Sequence, residues 1–160
     1  MKKLNYILVL LSLTGALIVC LSGYYYFYQS SVIMADDVAK AGFDYMQYPI
    51  LTLCYLMLLG FIVTIGTAIR LVYISQDTKI FSRRTVKHLQ LMGHATLFSF
   101  VSCLSIYIYG YSQMGREVGL VGAQVLLFSA CIFAAMNIIY FLANLFARSV
   151  AYKEESDLVV

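Results

Sequence analysis

Charged residues are scarce in this 160-residue chain, where Asp, Glu, Lys and Arg together make up 12%. Soluble domains have roughly 25%. Proline occurs once and tryptophan not at all, whereas 62% of the residues are hydrophobic and the mean hydropathy is +0.83. A soluble fold of this length could not bury so much apolar surface. The composition excludes a water-soluble enzyme, a disordered chain and a secreted disulfide scaffold, and it predicts a single integral membrane domain over residues 1–160.

Four apolar runs are each long enough to cross the hydrocarbon core of a bilayer as a helix, which takes about 20 residues. Backbone polar groups in lipid must be satisfied within their own segment, and the runs do not alternate as barrel strands do. We therefore expect an all-α polytopic membrane protein with four transmembrane helices in an antiparallel bundle. The predicted helices cover approximately residues 6–27, 49–74, 91–111 and 119–147.

The first run resembles a secretory signal peptide, because Lys2 and Lys3 precede it. It is longer than the apolar part of such a signal, and no small-x-small cleavage site follows it. Lipoprotein signals have a small residue before the modified cysteine, whereas Val19 precedes Cys20 here. We expect the run to be retained as the first helix.

Basic residues favour the cytoplasmic side of a membrane protein and so predict its orientation. With the N-terminus in the cytoplasm, only Lys40 and Arg116 of the eleven basic residues lie outside. Tyrosine rings prefer the membrane interface and give an independent indication. A cell-membrane location is therefore expected, with both termini cytoplasmic and residues 148–160 forming a short tail. The tyrosines at the outer boundary are then Tyr24, Tyr25, Tyr26, Tyr28, Tyr45, Tyr48, Tyr107, Tyr109 and Tyr111.

No catalytic, cofactor or metal site is predicted. None of the four runs contains Asp or Glu, and the HxxxH, HExxH and CxxC patterns are missing from the sequence. No Ser or Cys has an obvious His and acid partner. We expect that the protein is not an enzyme, and an ion carrier would usually place acidic groups in the membrane. His94 is expected to be structural, and the four cysteines to be free thiols, with a Cys20–Cys54 disulfide as the alternative.

Small and polar side chains share one face of the fourth predicted helix, at steps of four, three, seven and four residues. Small residues allow close helix approach in lipid, and amides can bond across helices. Helix packing is the preferred interpretation, and a ligand-sensing or signal-sensing cavity is the alternative. The residues of this face are Ala130, Ala134, Asn137, Asn144 and Arg148.

The loop between the second and third predicted helices is the first candidate partner-binding surface. Ser82 can cap a short helix leading into the third segment. Arg83 and Arg84 would then lie in its first turn, where the helix dipole disfavours cations. An anionic contact is therefore expected, either with lipid phosphates or with an acidic protein. The predicted contact residues are Asp77, Lys79, Phe81, Arg83, Arg84 and Lys87.

The C-terminal tail is the second candidate partner-binding surface. Acidic residues there are followed by apolar ones, and we expect this apolar end to be extended. It could add to a sheet edge or dock in a groove of a soluble partner. The predicted contact residues are Glu154, Glu155, Asp157 and Leu158.

Two short motifs are similar to those of a known family. YISQDTKIFS at 73–82 is followed by LMG at 91–93, and ESDLVV closes the chain at 155–160. These resemble the middle and the end of a bacterial four-helix membrane family, domain of unknown function 2975. The resemblance implies a gene neighbourhood with a small helix-turn-helix regulator and no proven activity.

We therefore expect a membrane-bound sensor or modulator that binds a cytoplasmic helix-turn-helix transcription regulator. Direct contact with nucleic acid is not expected, because the net charge of +3 is small. The lipid bilayer is the other expected partner, and a homo-oligomer is left open. The alternative function is a small transport, immunity or accessory membrane protein acting on a peptide or a lipophilic compound.

Overall fold

The computed structural model describes residues 7, 9–22, 25, 44–74, 82–115 and 119–158. The all-α class is confirmed for these residues. Three helices are long and apolar enough to cross a membrane, and a shorter apolar helix lies within the predicted first span. The ends of that first span, and residues 75–81 of the loop predicted at 75–90, lie outside the described residues, whereas residues 83–90 of that loop are helical. The elements are α1 (Val9–Ser22), a 3-10 helix (Asp44–Met46), α2 (Gln47–Ile74), α3 (Arg83–Met114) and α4 (Gly119–Leu158).

Local sequence signals explain where α2 and α3 begin. Pro49 is the third residue of α2, where an amide hydrogen would have no partner within the helix. Ser82 has extended backbone angles, and its hydroxyl oxygen accepts from the Thr85 amide at 3.4 Å. Ser82 is thus the predicted N-cap of a helix that continues through the third apolar run without a break. α3 ends at Gly115, whose φ of 58° is in the region that favours glycine.

The helices α3 and α4 are longer than a bilayer requires. At 32 and 40 residues they measure about 48 and 60 Å, against a hydrocarbon core of about 30 Å. The tail after residue 147 stays helical through Leu158, so Leu158 is not extended; residues 159 and 160 of the expected apolar end lie outside the described residues. Residues 148–158 contain no Gly or Pro and include Ala, Lys and Glu, which are strong helix formers.

α3 packs against both α2 and α4. Its contact with α2 is close because α2 has a glycine at the crossing. A Cβ added at Gly60 would overlap the Ser99 hydroxyl and lie 2.9 Å from the Ala95 carbonyl oxygen. The buried Ser99 hydroxyl donates to the carbonyl oxygen of Met57 at 3.0 Å. Glycine is therefore required here by the packing of two backbones.

On its other side, α3 contacts α4 through aromatic and small residues. The Tyr140 hydroxyl lies 2.8 Å from Nδ1 of His94, and its ring packs over Gly93. Farther along α3, the rings of Phe100 and Phe133 are 5.3 Å apart. Residue numbers thus rise along α3 as they fall along α4. His94 is hydrogen-bonded, as expected for a structural histidine.

Candidate functional site

The first turns of α3 and the last turns of α4 meet in a cluster of charged side chains, here called the charged end. The Arg83 guanidinium donates from Nε to Oε1 of Glu154 at 2.8 Å and from Nη2 to Oε2 at 2.7 Å. The ion pair is therefore bidentate, with two nitrogens of the guanidinium bonded to the two oxygens of the carboxylate. The ion pair thus joins one residue from each of the two predicted contact surfaces, and these two residues are 71 positions apart in sequence. The charged end comprises Arg83, Arg84, Lys87, Glu154 and Glu155.

Solvent surrounds this ion pair. The side chains of Arg83 and Glu154 are 78% and 47% exposed and lie beyond the predicted membrane spans. The hydrogen bonds from Arg83, reinforced by its positive charge, lower the pKa of the Glu154 carboxyl. The hydrogen bond to Glu154 raises the pKa of Arg83. Both groups are therefore ionised at neutral pH, but water screens their attraction and limits its contribution to stability.

A cavity of about 320 Å³ lies beside the ion pair, between α3 and α4. Val150 is buried and gives the cavity an apolar side, while Arg83, Lys87 and Glu154 supply charges of both signs. The cavity can accept a short side chain with an apolar body and a polar tip. Its remaining lining residues are Val86, Gln90, Ala147 and Ala151.

Other predicted contact residues have different surroundings. Arg84, Lys87 and Glu155 are exposed and form no ion pair with any residue that the structure describes. Asp157 and Leu158 belong to the last turn of α4. The predicted residues Asp77, Lys79 and Phe81 lie outside the described residues. Sequence reasoning missed Gln90 and Val150, because nothing local indicates that they line one cavity.

The residues predicted for helix packing, Ala130, Ala134, Asn137 and Asn144, are all exposed. The Asn137 side-chain amide donates to the Phe133 carbonyl oxygen of its own helix at 2.8 Å. A different face of α4 packs toward the neighbouring helices. The buried residues of that face include Ser129, Ile132, Met136, Ala143 and Val150.

A second, larger cavity of about 730 Å³ lies among α1, α2, α3 and α4. Its lining is apolar apart from Gln124 and three thiols. All four cysteines are free, as expected. No group of three or more metal-binding side chains occurs within the described ranges. The lining residues are Val19, Cys20, Cys54, Met57, Leu58, Phe61, Cys103, Ile106, Gln124, Val125 and Phe128.

Residues 31–160 match the model of a family described as protein of unknown function, DUF2975. The chain belongs to the DUF2975 family. The matched residues include α2, α3, α4 and the whole charged end, and the match confirms the resemblance seen in the two motifs. Neither a curated protein nor a solved structure matches this DUF2975 protein.

Proposed function

We propose that this DUF2975 protein is a membrane-bound, non-enzymatic sensor or modulator that binds a cytoplasmic helix-turn-helix transcription regulator. The observation that supports the proposal is the Arg83–Glu154 ion pair, which joins one residue from each of the two predicted contact surfaces. The regulator itself is implied by the family resemblance. In this proposal the membrane protein contacts the regulator, and only the regulator contacts nucleic acid.

The proposal includes an orientation in the cell membrane. Four transmembrane helices form an antiparallel bundle, and both termini are cytoplasmic. Nine of the eleven basic residues then face the cytoplasm, with Lys40 and Arg116 outside. The charged end would project into the cytoplasm, because α3 and α4 exceed the bilayer thickness there.

The charged end suits an acidic partner surface. Glu154 already engages Arg83, whereas the exposed Arg84 and Lys87 lie one to four positions farther along α3. Charges of this kind mainly increase association rate and specificity. Because Arg84 and Lys87 belong to a helix, the spacing of their backbone positions is fixed before a partner binds. This reduces the entropy cost of association.

Capture of the neighbouring-gene regulator by the full-length protein in lipid nanodiscs tests this proposal. The double variant Arg84→Glu/Lys87→Glu should weaken binding about tenfold or more. The matched control is Arg116→Glu, which reverses a charge on the predicted outer side and should leave binding unchanged. Removal of the chain after Tyr152 should also weaken capture. Failure of the wild-type protein to capture the regulator would refute the proposal.

The larger cavity favours a second candidate function. An apolar space of about 730 Å³ among four helices has the size and chemistry of a site for a lipophilic compound. The protein would then be a small transport, immunity or accessory membrane protein. Deletion should change sensitivity to such a compound or peptide while transcription of neighbouring genes stays the same. Altered transcription without altered sensitivity would favour the regulator-binding function.

A further inference from the structure

One exposed face of α4 carries side chains spaced at alternating steps of four and three residues. This face, here called the outer seam, is exposed at every one of its positions. Alternating steps of four and three form a heptad repeat, the pattern of helices that wind around one another. The outer seam consists of Ala130, Ala134, Asn137, Phe141, Asn144 and Arg148.

Two other faces of α4 are already in use, and the remaining exposed face carries large apolar side chains such as Leu127 and Ile138, which suit lipid. Ile132 and Met136 are buried on the face toward the neighbouring helices. Gln124 and Phe128 line the larger cavity together with residues of α1. Successive residues are about 100° apart around a helix, so the outer seam lies roughly a third of a turn from each of these faces. None of the described parts of α1, α2 or α3 covers it.

The outer seam is poorly suited to lipid. Asn137 lies inside the apolar part of α4 and Asn144 lies one turn before the end of that part, where an exposed amide loses water without gaining a hydrogen-bond partner. Asn137 bonds only to its own helix, and Asn144 makes no hydrogen bond with any described residue. A side-chain amide both donates and accepts, so an identical amide complements it. A second copy of the chain would present such an amide.

We propose that two copies of the protein pair along the outer seam, with their α4 helices parallel. Two copies in one membrane share an orientation, and a twofold axis along the membrane normal places each seam residue beside its counterpart. Ala130 and Ala134 permit close approach, while Asn137 and Asn144 bond across the interface and define its register. This inference is independent of the proposed regulator.

The outer seam ends in a charge that the pairing must accommodate. Arg148 lies where α4 leaves the predicted span, so its guanidinium can extend to lipid headgroups. Glu155 follows one heptad later on the same face and is exposed. It adds an opposite charge two helical turns, about 10 Å, beyond the paired Arg148 side chains.

The dimer is tested by measuring the mass of the purified full-length protein, and its dissociation constant, in detergent and in lipid bilayers. Asn137→Leu should weaken association about threefold, and Asn137→Leu/Asn144→Leu about eightfold, because each interhelical amide bond in a membrane contributes modestly. Ala134→Leu should weaken it more by separating the helices. The control is Gly66→Leu on α2, where an added Cβ meets nothing within 4 Å.

Moving the thiol from position 131 to position 130 tests, in native membranes, whether the outer seam is the face that pairs. Ala130→Cys/Cys131→Ser places a thiol in the outer seam, whereas the exposed Cys131 of the wild-type chain lies about 100° away. Mild oxidation should link the variant into dimers at least fivefold more than the wild type. Equal linkage of the two chains, linkage of the variant to a different protein, or a variant that forms no linked dimer would each overturn the proposal.

Discussion

Arg83, in the first turn of α3, holds Glu154, near the end of α4, through two parallel hydrogen bonds of 2.8 and 2.7 Å. A cation at a helix N-terminus is opposed by the helix dipole, and the carboxylate of Glu154 supplies the compensating anion. The anion beside Arg83 is therefore a residue of the same chain, whereas the sequence predicts lipid phosphates or an acidic protein partner there. Arg84 in the same turn has no such partner among the described residues.

The last turns of α4 should become more mobile at acidic pH, because the Arg83–Glu154 pair is lost there. The pKa of Glu154 is lowered, so the contribution of the pair is fully present above the ordinary carboxyl pKa. It is lost as the pH falls through the lowered pKa of the folded state. A spin label at Ser156→Cys, with Cys131→Ser, should gain mobility only in acid. When Glu154→Gln is added to the labelled variant, the mobility of the spin label should be high at every pH.

The close approach of α2 and α3 should not tolerate a side chain at Gly60. We expect Gly60→Ala to lower the free energy of unfolding by about 1–3 kcal/mol, because the new Cβ overlaps Ser99. Gly66→Ala is the matched control on the same helix and should leave stability unchanged or slightly higher. Unfolding in mixed micelles measures both. Equal losses at the two positions would contradict the described crossing.

The Tyr140 hydroxyl should stabilise the contact of α3 with α4. Tyr140→Phe removes the hydrogen bond to His94 and should cost about 0.5–1.5 kcal/mol. Tyr152→Phe is the control, because this side chain is 72% exposed on the same helix. The same unfolding assay applies. If the control variant loses as much stability as Tyr140→Phe, the loss does not come from the His94 contact.

The proposed orientation predicts which end of α3 is accessible from outside the cell. Gln113→Cys should react with a membrane-impermeant maleimide on intact cells, and Ser82→Cys only after the membrane is opened. Ser82 is the N-cap of α3 and Gln113 lies in its last turn, so the two variants form a matched pair on one helix. The native thiols all fall within the predicted spans. Labelling of Ser82→Cys on intact cells would refute cytoplasmic placement of the charged end.

Local properties of the sequence determined the helical segments. The helices α2, α3 and α4 follow from uninterrupted apolar runs, because length and hydropathy are properties of a segment alone. The start of α3 likewise follows from Ser82, whose side chain satisfies an amide close by in sequence. α4 extends well beyond the predicted span at 119–147, because the polar residues that follow the span include strong helix formers.

Only the tertiary structure decided which helical faces meet. Apolar residues surround α4, so its sequence does not distinguish a face toward protein from a face toward lipid. The choice depends on how Ile132 packs with Met57 of α2 and Cys103 of α3, and it leaves Asn137 outside. The pairing of Arg83 with Glu154 and the two cavities also require residues far apart in sequence to meet. Such meetings depend on the packing of whole helices, which no single segment specifies.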